Sequence, residues 1–316
     1  MTCVFGPVPS RRLGQSLGID TIPLKTCNWN CVYCQLGRSK PLCNERKDYV
    51  PTQTIISEVK TALAAHKRED IDWITFVGSG EPTLHASLGK LIEEVNGLTD
   101  IPIAVITNGS LFFMPPIRNA LASADAVLPS LDAGSPQLYK KINRPHPDVP
   151  FERYVEGLIA FRQEYEGQLW MEVMLVKGLN DTDDALRDIA RILAQVRPDK
   201  IHIGMPTRPP AETWVAPPDE EGLMRAIAIL GEVAQVIHPQ EGHFDLSGSE
   251  NIIDAIVGII TRHPMSEDQL LHALTQFPSG EREKIVEDLK ASNRAQLIER
   301  FGQRFWCASG STFPEN

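Results

Sequence analysis

Along the first two-thirds of the chain, short β-branched or apolar runs alternate with longer segments whose apolar positions recur every three or four residues. The short runs, at 17–22, 73–77, 103–106, 126–130, 169–176 and 201–204, predict strands; the longer ones, at 54–66, 86–96, 116–122, 151–165, 182–195 and 218–236, predict helices. Strand–helix alternation calls for parallel strands joined by crossover helices. The pattern therefore predicts an α/β fold, a partial (β/α)6 TIM-like barrel, with ligands at the carboxyl ends of its strands.

The pattern changes after about Ser247. A helix is expected over 250–261. Ser266-Glu267-Asp268-Gln269 has the form of a capping box, with a helix following to about Thr275. Ser279 caps another helix over 281–292, and the sequence around Gly302-Gln303 predicts a two-stranded hairpin. Three helices and a hairpin are the plan of a winged helix. The expected division is a barrel at 1–246 and a small winged-helix-like domain at 247–316, with residues 309–316 as a loose tail.

The polar residues that could carry chemistry gather just after the predicted strands. Gly78-Ser79-Gly80-Glu81-Pro82 follows the second, Thr107-Asn108-Gly109 the third, and Ser130-Leu131-Asp132 closes the fourth; Glu172 lies in the fifth and His202 in the sixth. After the first comes Cys27-Asn28-Trp29-Asn30-Cys31-Val32-Tyr33-Cys34. Three thiolates from one short loop can bind three irons of a [4Fe–4S] cubane and leave the fourth open to a small molecule. Structural zinc usually takes two separated Cys or Cys/His pairs, and no second pair follows here. Disulfides fit poorly, because the amino terminus lacks a basic and then apolar leader; a cytoplasmic setting is expected. Cys3, Cys43 and Cys307 stand far apart in sequence and are expected to be isolated thiols unless the fold gathers them into a second cluster.

Composition narrows the functional classes. The 316 residues are 42% hydrophobic and 23% charged, ordinary for a globular chain, and no apolar stretch has the length of a membrane span. A net charge of −10 argues against a protein that coats nucleic acid with its whole surface. From Thr261 onward seven Lys/Arg face eight Asp/Glu, which is not a duplex-binding footprint. Docking a protein, or a purely structural role, is at least as good a fit for that part.

The cysteine loop, Gly78-Ser79-Gly80-Glu81, Thr107-Asn108-Gly109 and Ser130-Leu131-Asp132, in this order on six βα units, resemble the radical S-adenosylmethionine (SAM) enzymes. The stretch from Leu131 to His146 brings the chain nearest to the iron–sulfur oxidoreductase group that includes the wyosine-forming tRNA enzymes. The resemblance runs from about Gly6 to Thr207. It implies a [4Fe–4S] cluster on Cys27, Cys31 and Cys34, with SAM chelating the open iron. Reductive cleavage of SAM would then yield a 5′-deoxyadenosyl radical that takes hydrogen from a substrate. It also implies that Gly80 and Glu81 bind the methionine amino group, in a motif that reads Gly-Ser-Gly-Glu where the family often has Gly-Gly-Glu. Ser130 and Asp132 would bind the ribose, and Asn108 would lie near methionine or ribose unless it only makes a turn. Tyr33 would pack on adenine or, with Trp29, shield the cluster.

On the substrate side, Arg144 in Asn143-Arg144-Pro145-His146 is the best candidate. Glu172 fits SAM, substrate or a buried pair, and His202 fits ribose, substrate or a structural place. Arg11, Arg12 and Arg208 could take a phosphate or carboxylate, or lie solvated on loops. A reductant protein such as a flavodoxin or ferredoxin is implied, and the substrate would be a tRNA base or a protein or peptide side chain. The alternative is an iron–sulfur electron carrier or redox-sensing regulator whose fourth ligand, for example Cys43, comes from the protein.

Overall fold

The computed structural model describes residues 2–237, 244, 246 and 251–314. One sheet holds eight strands in sequence order: β1 (Val4–Ser10), β2 (Gly14–Ile19), β3 (Trp73–Phe76), β4 (Ile103–Thr107), β5 (Ala126–Pro129), β6 (Gln168–Met174), β7 (Lys200–Gly204) and β8 (Ala234–Val236). β1 and β2 pair antiparallel, and every later pairing is parallel. The connecting helices are α1 (Thr52–Ala65), α2 (Leu88–Asn96), α3 (Pro115–Leu121), α4 (Pro136–Ile142), α5 (Phe151–Glu164), α6 (Asp183–Val196) and α7 (Glu220–Leu230). This is the mixed α/β partial barrel expected, with two strands added. β1 escapes a sequence pattern because Gly6, Pro7 and Pro9 interrupt it, which an antiparallel edge tolerates. β8 lies within the helix expected at 218–236. Gly231, at φ +94°, ends α7 in a conformation few other residues adopt, and the chain turns into a strand.

Alternation along the strands sorts two apolar layers. Ile74 and Phe76 of β3, Ile103 and Val105 of β4, and Val127 of β5 face the helices in the main core. Their neighbours Trp73, Ala104, Ile106, Ala126 and Leu128 face inward and, with Leu13 and Trp170, plug the barrel. Strands buried on both faces read as continuous apolar runs, which is why they were legible.

The C-terminal part holds α8 (Ile252–Arg262), β9 (Met265–Ser266), α9 (Glu267–Ala273), α10 (Ser279–Ala291), β10 (Ala295–Arg300) and β11 (Gln303–Ala308). Its antiparallel sheet runs β10-β11-β9. The expected boundary after 246 adjoins residues 247–250, which lie outside the described residues, as does the first residue of the helix expected at 250–261. The core of this part includes Phe5 and Val8 of β1. The tail expected to be loose is tied to the barrel: Arg38 N donates to Thr312 O at 2.9 Å. Among the described residues no helix is long and apolar enough to cross a membrane.

Candidate functional site

The cysteine loop leaves β2 and is fixed by its backbone. Asn30 N donates to Asn143 O at 3.0 Å and Val32 N to Ile142 O at 2.9 Å, docking the loop on the end of α4. Turns close from Cys34 N to Cys31 O and from Gly37 N to Cys34 O, both 3.1 Å. Trp29 is 2% exposed and packs edge-on against Tyr139 and Tyr154. It anchors the loop in the core.

Four donors reach the sulfurs. Lys25 Nζ lies 3.3 Å from Cys34 Sγ and Trp29 N 3.4 Å from Cys27 Sγ; Asn143 Nδ2 lies 3.7 Å from Cys31 Sγ and Asn108 Nδ2 3.9 Å from Cys27 Sγ. Lys25, just before the cysteine loop, is thus part of the site. Burial, and then Glu81, pushes Cys27 up to about 12. Burial, and then Asp132, holds Cys31 well above the usual thiol range. Thiols so placed become thiolates when a strong cation binds them, and the donors suit cluster sulfurs, so the set fits an iron–sulfur cluster. Among the described residues no three His, Cys, Asp or Glu side chains converge on a single ion. Cluster thiolates each meet a different iron and need no such point.

The 78–81 turn is braced against the loop. Lys25 N donates to Ser79 O at 2.6 Å and Glu81 N to Thr26 O at 2.9 Å. A Cβ on Gly80 would stand 1.9 Å from Thr26 O, so only glycine allows this approach. Glu81 is 2% exposed. Its Oε1 accepts from Thr83 N (3.0 Å), Thr83 Oγ1 (2.6 Å) and Thr107 Oγ1 (2.5 Å), and its Oε2 from Asn108 N (2.8 Å). Burial raises its pKa against these four bonds. One acceptor position on Oε2 remains for a ligand ammonium. Asn108 also donates to Asn28 Oδ1 at 2.8 Å, joining the third strand end to the loop.

Asp132 is a hub. Its Oδ2 accepts from the Tyr33 hydroxyl and from Asn143 Nδ2 (2.7 Å), and its Oδ1 from Met174 N (2.8 Å). At 1% exposure it holds four segments together, and burial raises its pKa. Ser130, half-buried beside it, has a hydroxyl free of protein partners among the described residues and suits a ligand hydroxyl. Thr107, Asn28 and Asn143 belong to this network as much as the residues singled out by sequence. Each lies inside a stretch that the sequence singled out for other residues.

A cavity of about 310 Å³ opens inside the barrel next to Tyr33 and Cys34. Glu172 points into it and pairs with Arg12; burial raises the Glu172 pKa and Arg12 opposes this. Arg11 and Arg208 line the same cavity. Arg144 does not: it pairs with Glu212, which also takes Arg38 at 2.7 Å. His202 is 2% exposed and lies edge-on to Trp170, among the inward plug residues. Cys43 N donates to Cys27 O at 3.0 Å, and its thiol lies 3.2 Å from the Tyr49 hydroxyl. Cys3 is buried just before β1 and Cys307 in β11.

The family model described as the radical SAM superfamily matches residues 21–210. A UPF0026 protein from Methanocaldococcus jannaschii is 37% identical over 281 residues, covering 87% of each chain. A protein named GTPase Obg from Brachyspira hyodysenteriae is 48% identical over 205 residues, 65% of this chain; the match spans only 30% of that protein. A radical SAM methyltransferase from Sphaerobacter thermophilus has the same fold at TM-score 0.53 and 18% identity, over 70% of this chain and 65% of that one. With its three cysteines, braced glycine turn and strand-end polar residues in the matched segment, the chain belongs to the radical SAM superfamily, whose cofactors are a [4Fe–4S] cluster and SAM.

Proposed function

We propose that this chain is a radical SAM enzyme that binds its cluster through Cys27, Cys31 and Cys34, binds SAM along the rim from Gly80 and Glu81 past Asn108 to Ser130, and receives substrate in the cavity bounded by Arg12 and Glu172. With both cofactors bound, the chemistry on offer is reductive cleavage of the SAM sulfonium and hydrogen abstraction from a substrate held nearby. The observation that carries the reading is the pair of backbone hydrogen bonds between the cysteine loop and the 78–81 turn, which makes the two motifs one structure.

The protein's part is to hold, tune and keep dry. Hydrogen bonds from Lys25, Trp29, Asn108 and Asn143 to the cysteine sulfurs stabilise their charge and favour the reduced cluster. Asp132 fixes Tyr33 and Asn143 around Cys31. The inward plug of Leu13, Leu128 and Trp170 closes the barrel against water, as a radical reaction needs. A reduced flavodoxin- or ferredoxin-type protein would supply the electron, and a tRNA base or a protein side chain would enter the cavity. The six cysteines are unpaired, which suits the cytoplasm.

The test is anaerobic incubation of the cluster-loaded protein with SAM and dithionite. The expected products are 5′-deoxyadenosine and methionine, and Cys31→Ala should lose the brown cluster and form neither. Intact SAM over a fully loaded cluster whose spectrum SAM leaves unchanged would instead indicate an electron carrier.

A further inference from the structure

Among the described residues the cavity's lining holds more arginines than carboxylates. Four arginines line it: Arg11, Arg12, Arg208 and Arg262. Arg12 is paired with Glu172, and Arg262 with Asp20 at 2.7 Å. Among the described residues the hydrogen-bond partners of Arg11 and Arg208 are all neutral. Arg11 Nη2 donates to the Thr207 hydroxyl. Arg208 Nη1 donates to Gln35 Oε1 at 3.0 Å, and its Nη2 to His263 Nε2 at 2.5 Å. Among the described residues no carboxylate stands within ion-pair distance of either. His263 accepts through Nε2, so as a neutral ring it carries its proton on Nδ1 and adds no negative charge. Burial, then repulsion from Arg11 and Arg12, brings Arg208 down to about 9; burial, then Arg12, brings Arg11 to about 10, with the more distant Glu172 opposing.

Guanidinium groups held in a cavity without a counter-charge are costly unless a ligand brings one. Two such forks facing one space match the oxygens of a phosphate or carboxylate. We propose that Arg11 and Arg208, with His263 beside them, form a subsite for an oxyanion carried by the substrate. The third member comes from the residue that follows α8, so the C-terminal part completes the site instead of merely flanking it. This deepens the proposed function, since it takes the cavity to be the substrate's. It also narrows the substrate to one presenting a phosphate or carboxylate within a space of about 310 Å³.

The experiment uses the full chain with its cluster loaded, and probes of orthophosphate and acetate against chloride at equal ionic strength. Calorimetric titration should show binding to the wild type, and which anion binds tighter separates a phosphate from a carboxylate substrate. The Arg11→Gln/Arg208→Gln double variant should lose at least tenfold in affinity for that anion. It should also melt higher than the wild type without anion, because an uncompensated charge pair is gone. A merely structural role would lower the melting point. Arg208→Lys, which keeps charge without the fork, should lose several-fold. Saturating SAM should leave anion affinity unchanged. Abolition by SAM would assign the pair to the methionine carboxylate and overturn the proposal, as would wild-type protein that prefers neither anion to chloride. Binding needs no turnover, so anion affinity without SAM cleavage would sink the enzyme reading and leave the subsite, and cleavage without affinity the reverse.

Discussion

His202 shows how a residue's neighbours decide its use. It faces into the barrel beside Trp170, with Arg12 and Lys200 as the nearby cations, and burial followed by those charges lowers its pKa from 6.5 to about 4. The unfolded chain therefore takes up a proton that the folded chain refuses. Stability from this group is present in full above about pH 6.5 and is lost as pH falls from there toward 4. At pH 5, one and a half pH units below the unfolded value, the loss is about 2 kcal/mol. Urea unfolding at pH 7 and pH 5 should therefore show a drop larger in the wild type than in His202→Gln by about that amount. Equal drops would mean that the ring is charged in the fold. The cysteines and Gly80-Glu81 were legible in the sequence because their function depends on spacing within a few residues. Arg144 was not, because its partner Glu212 comes from a remote loop; for Glu172 a buried pair was one of the readings, and only the fold identifies Arg12 as its partner.

At the scale of elements, local chemistry was as readable as the apolar pattern. The capping box expected at Ser266 forms: Gln269 N donates to Ser266 Oγ at 3.1 Å, and Ser266 N donates to Gln269 Oε1 at 3.0 Å. Ser266→Ala should cost about 1 kcal/mol of the stability of the C-terminal part, read by denaturant unfolding. No change would show that the tertiary contacts of α9 alone hold it. The expected hairpin forms as β10 and β11, with its turn one residue earlier than Gly302-Gln303: Phe301 and Gly302, both at positive φ, make it, and Gln303 already pairs with Arg300. The shift of the first strand from 17–22 to Gly14–Ile19 has a different cause. Apolar Ile22 continues the run in sequence, but Asp20, whose N still donates to Cys3 O, turns the chain there: its side chain accepts from Ile22 N at 3.2 Å and from Ser79 Oγ. α4 was not among the expected helices, although Ser135 caps it and Pro136 starts it, a helix N-terminus that the residues themselves carry.

Asp20 also joins the molecule's two parts. Its Oδ2 accepts from Arg262 Nε at 2.7 Å and from Ser79 Oγ at 2.6 Å, while its Oδ1 accepts from Ser79 N at 3.2 Å. Arg262, at the end of α8, also donates to Thr2 O at 2.6 Å and stacks on Phe5, which belongs to the C-terminal core. One buried ion pair therefore ties α8 to β1 and to the turn that carries Gly80 and Glu81. Arg262→Met would leave the fully buried Asp20 without its cation, at a cost of about 3–5 kcal/mol. Because the lost tie is the one between the two parts, calorimetry should resolve the single transition expected of the wild type into two. Cluster retention should fall as well, since the 78–81 turn that braces the cysteine loop loses its support. Asp20→Asn added to Arg262→Met removes the stranded charge and should recover more than half of the loss. A single variant costing less than 1 kcal/mol, with one transition kept, would show that apolar packing around Phe5 and Val8 joins the parts without the ion pair.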